Sequence, residues 1–463
     1  MPDALSAAPD PDALRPGDAR CPGPSTRDLI LADGQTTPPA LTAESYAFLG
    51  DTNIDYDRYT SQEFFDLEMK KLWPKVWQWV CREEHLLNVG DYVTYDVGPH
   101  SVILVRRGGD EIKGYVNACL HRGTQFRPSD TSGVAPVLRC PFHGWTWSLD
   151  GRLKELPCRW DFPHVKDEDY RLPEVKVARW GGFVFVNMDP DAGPLADHLG
   201  ILPDHFKNGW DLSNRYTVLH IQKELDTNWK AAQEAFLEAY HVYATHTQGL
   251  PTASDANAQY DIFGETVSRF IHTIGHPSPH FTRPQTQQEI LDKLRSAPEG
   301  AVVPEGRLAR SVAAEHLRKT LSEAWGIDLS AYSDSEMMDS IEYHLFPNMF
   351  MFPGVSLPMI YRFRPIGMDP GRTLFDLLFL QPLKPGQARP DAPAPHRLTP
   401  GESYASAPGM SEGLGFVYDQ DTDNLAMQYK GFQASRKRGQ TLGNYQEART
   451  RRVHMTLDKY LTA

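Results

Sequence analysis

Two short pieces of this sequence, Cys119-Leu120-His121 and Cys140-Pro141-Phe142-His143, stand eighteen residues apart and supply two Cys and two His. Whatever secondary structure surrounds them, two loops must meet around one small centre. Such a mixed donor set suits a two-iron, two-sulfide cluster with Cys on one iron and His on the other. Neutral imidazoles in place of thiolates raise the reduction potential of such a cluster. Two Cys and two His also make a structural zinc set, but zinc spacing usually pairs the Cys at one knuckle and the His on a helix. Here each half carries one of each, and the second half runs on into Gly144-Trp145-Thr146-Trp147. That arrangement favours the cluster over zinc.

The sequence around these donors has the texture of short strands. Residues 92–97, 101–105 and 183–186 alternate or run apolar over four to six positions, with Gly and Asp-Gly turns between them. A small all-β domain over residues 76–190 is expected, with both donor pairs on loops and the His edges near solvent. Before it, residues 1–45 are rich in Pro, Ala, Asp and Gly and read as a flexible arm. Residues 46–75 hold an amphipathic helix behind a Ser61 cap. The chain has 463 residues, enough for two or three domains, and a formal net charge of −13 that argues against nucleic acid as a partner. No apolar run approaches the length of a membrane span, and the first residues lack the basic and apolar regions of an export signal. Two of the five Cys belong to the motif, which leaves Cys21, Cys81 and Cys158, an odd number rather than a disulfide framework. A cytoplasmic location is the expectation.

Residues 200–463 read as a second, α+β domain. Trp229, Ala232, Phe236 and Ala239-Tyr240 recur at near-helical spacing from Asn228 onwards, and residues 286–294 and 306–325 look like surface helices. Between residues 340 and 383 lie β-like runs separated by Pro and Gly, as in an antiparallel meander. Residues 386–408 read as an exposed Pro/Ala-rich loop, and residues 444–460 as a closing amphipathic helix. Within the first helical stretch stand Glu238, His241 and His246. Two His and one carboxylate form a triad that binds ferrous iron and leaves positions open for dioxygen. The spacing of five places the two rings on different faces of a regular helix, so the helix must bend or break between them. A third ligand is available far downstream, in the carboxylate-rich residues 418–424, which also read as an acidic cap or turn before the last helix.

Taken together, the Cys119/His121/Cys140/His143 motif, Asn228-Trp229-Lys230, Glu238-x-x-His241-x₄-His246 and Asp421-x-x-Asn424 resemble the Rieske non-heme iron oxygenases, and specifically the α subunits of aromatic-ring-hydroxylating dioxygenases. The likeness runs in the family's order from about residue 55. It implies a small all-β Rieske domain and a larger catalytic domain of the helix-grip, START-like kind. It implies that Cys119, His121, Cys140 and His143 hold a [2Fe-2S] cluster, and that His241, His246 and Asp421 hold a mononuclear iron. Glu238 falls at the position of the carboxylate that bridges cluster and iron, and so is not the third iron ligand. Many ring dihydroxylases have Asp there, whereas Glu occurs in relatives acting on quaternary ammonium compounds. The preceding Gln233-Glu234-Ala235 also lacks an Asn found in many relatives.

The resemblance further implies a homotrimer, with or without a β subunit, in which Glu238 links His143 of one subunit to His241 of the next. No dinucleotide fingerprint is present, so electrons from NAD(P)H must arrive through a separate reductase, with or without a ferredoxin. The activity expected is mono- or dihydroxylation of a hydrophobic, aromatic substrate with dioxygen. Oxidative O- or N-demethylation and quaternary ammonium monooxygenation are the alternatives within the family. An electron carrier without oxygenase activity is the alternative outside it. Phe236, Leu237, Tyr240, Tyr243, Tyr343, Phe346, Met349, Phe350 and Met351 are candidates to line the substrate site or belong to the core. Residues 260–280 are placed to line or gate it.

Overall fold

The computed structural model describes residues 14–463. Residues 1–13 of the expected arm lie outside the described residues, and the rest of it is packed rather than loose. Helix α1 (Thr26–Ala32) starts at Ser25, whose hydroxyl accepts the Asp28 N–H while the Asp28 carboxylate accepts the Ser25 N–H. Ile30 and Leu41 are wholly buried against Trp77 and Trp79, and Asp33 pairs with Arg310 at 3.0 Å. Composition suggests a loose arm, but two apolar anchors and one buried ion pair seat it.

Helix α2 (Gln62–Lys71) is capped by Ser61 and turns Phe65 and Met69 inward. Its buried Glu68 accepts from Lys230 Nζ at 2.6 Å and from Trp229 Nε1 at 3.0 Å, which ties it to the second domain.

The first domain is built on strands β1 (Gln78–Arg82), β2 (Asp91–Val97), β3 (His100–Gly108), β4 (Glu111–Val116) and β5 (Ser132–Val134). They are followed by the short strands β6 (Leu138–Arg139), β7 (Thr146–Trp147) and β8 (Leu153–Glu155), then β9 (Glu174–Trp180) and β10 (Phe183–Asn187). Seven of them form one sheet in the order β1-β10-β9-β4-β3-β2-β5, and β6-β7-β8 form a smaller one. The first donor pair follows β4. The second is the hairpin loop between β6 and β7, where Leu138 pairs with Trp147 and Arg139 with Thr146.

The second domain opens with strand β11 (Arg215–Leu225) and helices α3 (Trp229–Glu234) and α4 (Val242–Thr245). Next come β12 (Ala253–Phe263), β13 (Val267–Ile274), α5 (Gln287–Leu291) and α6 (Ala309–Trp325). Strands β14 (Ser340–Leu345), β15 (Met349–Met351), β16 (Met359–Pro365), β17 (Thr373–Pro382) and β18 (His396–Leu398) follow, then α7 (Glu412–Ala434) and α8 (Ala448–Thr462). Strands β12 to β17 are sequential antiparallel neighbours, β11 returns beside β17, and β18 lies parallel to β11. Both faces of this sheet are apolar. Phe350, Phe363, Phe375 and Leu377 pack with Phe236, just after α3, and with Tyr418 of α7, whereas Tyr343, Met349, Met351 and Leu378 pack with Trp79, Phe183 and Phe206. Arg362 fastens the domains by donating to the Trp79 and Val80 carbonyls at 2.9 Å while paired to Asp376.

Three expected elements differ, one being the exposed loop over residues 386–408, which carries β18 paired to β11 and buries Leu398 and Tyr404. The helix from Asn228 stops at Glu234, and an irregular stretch over residues 235–241 precedes the single turn α4. Residues 418–424 are not a turn before the last helix but lie inside α7, a 23-residue helix. Tyr418, Asp421, Thr422 and Leu425 are buried in a helical stripe, and this burial on the core holds the acidic segment helical. No helix among the described residues is long and apolar enough to cross a membrane.

Candidate functional site

The two donor loops meet at one end of the first domain. Cys119 and Cys140 are 3% and 2% exposed, while His143 is exposed. The His121 and His143 rings lie 4.6 Å apart, and His121 stacks on Trp145 at 5.0 Å. Asn117 pins the first loop: its amide oxygen accepts the Phe126 N–H, and its amide nitrogen donates to the Arg127 carbonyl and to Ser101 Oγ. Gly123 and Gly144, at φ +80° and +77°, let both loops reverse in the left-handed region. Burial raises the Cys119 thiol to about 11, with Cys140 beside it adding to the rise. Buried paired sulfurs of this kind are held as thiolates by a metal rather than by solvent.

The donor chemistry fits a [2Fe-2S] cluster. His121 Nδ1 is buried without a hydrogen-bond partner, as a ligand nitrogen requires. Elsewhere, the ligand atoms of His241, His246 and Asp421 draw within 4.8 Å of one another.

That second set is assembled from two distant helices. His241 and His246 stand at the two ends of α4, so the break in the helix falls before His241 and one tight turn separates the rings by 5.2 Å. Asp421 comes from α7. Its Oδ1 lies 2.7 Å from His246 Nε2 and 3.5 Å from His241 Nε2. The neighbouring carboxylates are elsewhere: Asp419 caps the Tyr404 N–H, and Asp423 is exposed. Two imidazoles and one carboxylate with converging atoms fit a mononuclear ferrous ion.

Each ring is oriented through its other nitrogen. Glu238 Oε1 lies 2.8 Å from His241 Nδ1, and its Oε2 accepts the His241 N–H at 2.9 Å. Gln420 Oε1 stands 3.1 Å from His246 Nδ1 while its amide donates to the Thr245 carbonyl. Such contacts set tautomer and ring angle. Burial opposes a charge on His241, but Glu238, by charge and hydrogen bond, and then Asp421 outweigh it and raise the imidazole to about 9.

The stretch 235–241 has little helical bonding and is held from outside. Tyr260 Oη accepts the Ala239 N–H at 3.0 Å, and Arg449 Nη1 donates to the Leu237 carbonyl at 2.9 Å. Tyr260 opens the stretch expected to line or gate the site; Arg449 is not marked by the sequence, nor is Gln420, although its position next to Asp421 places it at the site. A cavity of about 180 Å³ opens beside Glu238, His241 and Asp421, with Glu234, Gln440 and Glu447 on its wall. Glu234 accepts from Tyr59, His454 and Gln440.

The expected apolar lining divides. Phe236, Leu237, Phe346 and Phe350 share the core on the side of α3 and α7. Tyr343, Met349 and Met351 point to the opposite face of the sheet, as strand alternation requires, and so do not face the histidines. Tyr240 and Tyr243 are 56% and 52% exposed. Residues 260–280 contribute Tyr260 to the loop clamp and His280 to a ring contact with Tyr243 at 4.5 Å.

Known proteins show the same two-part pattern. The Rieske [2Fe-2S] domain family matches residues 76–166, and the ring-hydroxylating alpha subunit catalytic domain matches residues 213–463. The chain is 35% identical over 199 residues to the anthranilate 1,2-dioxygenase large subunit of Acinetobacter baylyi, covering 42% of each chain. It is 30% identical over 210 residues to the carnitine monooxygenase oxygenase subunit of Escherichia coli, covering 45% of this chain and 54% of that one. These alignments thus span about half the length of the relatives. Among solved structures, a quaternary ammonium Rieske monooxygenase superposes with a TM-score of 0.60 at 16% identity, covering 88% of this chain and 95% of that one. Naphthalene 1,2-dioxygenase from Rhodococcus superposes with a TM-score of 0.59 at 21% identity, covering 88% and 94%. These two likenesses establish the fold. With a Rieske domain ahead of a catalytic domain matched over more than half its length, this chain belongs to the ring-hydroxylating oxygenase α-subunit family.

Proposed function

We propose that the chain is the terminal oxygenase of a multicomponent Rieske system that hydroxylates a hydrophobic, aromatic substrate with dioxygen. The observation that carries this reading is the convergence of His241, His246 and Asp421, with Glu238 on the far nitrogen of His241, in a chain that also carries the Rieske motif. Cys119, Cys140, His121 and His143 would hold the cluster, and His241, His246 and Asp421 the iron. When bound, the cluster supplies single electrons and the iron activates dioxygen against the substrate.

The protein's own residues do the positioning. Glu238 and Gln420 lock the two imidazoles so that their Nε2 atoms face Asp421. Glu238 sits at the rim of the cavity, and the exposed edge of His143 stands at the tip of the Rieske domain. In a homotrimer, with or without a β subunit, His143 of one subunit would donate to Glu238 of the next, so that one carboxylate orients an imidazole of each centre. Electrons would come from NAD(P)H through a separate reductase, with or without a ferredoxin, in the cytoplasm.

Glu238 carries a second reading. Glu at this position occurs in other family members, including ones acting on quaternary ammonium compounds, and the similarity to a carnitine monooxygenase subunit agrees with monooxygenation or demethylation of such a substrate as the alternative to dihydroxylation. The test is to reduce the iron-loaded protein anaerobically with a panel of aromatic, methoxylated, polycyclic and quaternary ammonium compounds, then admit labelled dioxygen. Two labelled oxygens on a ring mean dihydroxylation; one, or a lost methyl group, means the second reading. If the second iron never binds, the wild type forms no product and His241→Ala keeps full electron transfer, the chain is an electron carrier and the oxygenase reading falls.

A further inference from the structure

Arg449, in the first turn of α8, is fully buried, and its guanidinium is spread over three elements. Nη1 donates to the Leu237 carbonyl at 2.9 Å, Nη2 to Glu342 Oε1 on β14 at 2.8 Å, and Nε to Ser268 Oγ on β13 at 3.1 Å. Phe270 lies against it at 5.2 Å. Glu342 and Ser268 are 1% and 2% exposed, so the fork is anchored in the sheet and cannot swing. The one contact that leaves this anchor is the Leu237 carbonyl, immediately before Glu238.

That carbonyl belongs to the irregular stretch 235–241, in which the direction of each peptide decides where the next side chain points. Tyr260 holds the stretch at Ala239, on the other side of Glu238. The Glu238 backbone is therefore gripped one residue before and one residue after. Arginine suits the first grip because its planar fork presents several donors in fixed directions, whereas a lysine ammonium is a flexible point charge.

We propose that Arg449 is a positioning residue: anchored on Glu342 and Ser268, it fixes the Leu237 peptide and thereby the contact of Glu238 with His241. The proposal rests on the reading of Glu238 and His241 given above. It requires that iron still bind when Arg449 is replaced, because His241, His246 and Asp421 remain, while the orientation of the His241 ring changes.

The probe is nitric oxide, which binds ferrous iron and gives an electron paramagnetic resonance line shape set by ligand geometry. Arg449→Met is combined with Glu342→Met so that no charge is left buried alone. Arg449→Lys keeps the charge beside Glu342 and serves if the double variant does not fold. Expected are unchanged iron stoichiometry and cluster absorbance, a line shape shifted to that of Glu238→Ala, and no further shift when Glu238→Ala is added. Amide exchange over residues 235–241 should quicken roughly tenfold, the worth of one hydrogen bond to a charged group. A wild-type line shape in the Arg449 variants, with Glu238→Ala shifted, would overturn the proposal. So would iron lost together with the Arg449 contact, which would make Arg449 a support of the whole site. If Glu238→Ala itself leaves the line shape unchanged, the reading of Glu238 fails first and the proposal falls with it.

Discussion

Ferrous iron and a proton compete for one atom, His241 Nε2. The Nδ1 hydrogen of that ring is committed to Glu238 at 2.8 Å, so the second proton of the imidazolium sits on Nε2, facing Asp421 at 3.5 Å. Burial disfavours this cation, but Glu238 and then Asp421 raise the group to about 9 in the metal-free protein. Below that pH the metal-free protein holds a proton that the loaded protein does not, so apparent affinity must rise with pH and level off above about 9. At about pH 7 the gap of about two units costs on the order of 3 kcal/mol, about a hundredfold in apparent affinity. The assay is anaerobic competition for iron with a chelator of known protonation, from about pH 6.5 to about 9.5, with proton release read in weak buffer. Affinity should change tenfold per pH unit, with about one proton released per iron below pH 9. Replacing Glu238 by Gln removes the charge that raises His241 while its amide oxygen can still accept the Nδ1 hydrogen, so the slope between about pH 7 and 9 should flatten. A wild-type affinity that is flat across this window, without proton release, would refute the argument.

Asp421→Ala should abolish iron binding and leave the cluster absorbance intact, whereas Asp419→Ala and Asp423→Ala should retain iron; metal analysis of the three separates them. Gln420→Ala leaves all three donors in place but frees the His246 ring, and should weaken iron binding by roughly tenfold in the same competition assay. Lys230→Met strands Glu68 without its 2.6 Å partner, both side chains being fully buried, and should cost about 3–5 kcal/mol. Adding Glu68→Met should recover most of that loss, measured as the denaturant midpoint of the second domain.

Both donor motifs were legible because their parts are local: Cys119-x-His121, Cys140-x-x-His143 and His241-x₄-His246 lie within a few residues, and chemistry demands those types at short spacing. The antiparallel meander was legible for the same reason, since strands and turns announce themselves over four to ten residues. Long-range choices were not. Three carboxylates in residues 418–424 read as a turn because local charge outweighs a single helical stripe, Tyr418, Asp421, Thr422 and Leu425, that matters only when a core is there to receive it. Alternation divides a strand into two faces without saying which faces the histidines, so Tyr343 and Met349 could not be told from Phe350. The Pro-rich arm carries Ile30 and Asp33, whose partners lie far along the chain. Arg449 is one of several basic residues in a polar helix, and no pattern sets it apart. By itself the sequence determined which donors exist and which cofactors they suit, because ligand chemistry depends on residue type and short spacing. Tertiary structure decided which of the acidic side chains reaches the histidines and what holds Glu238 in place, because those contacts join residues far apart in the chain and depend on how the sheet and helices pack.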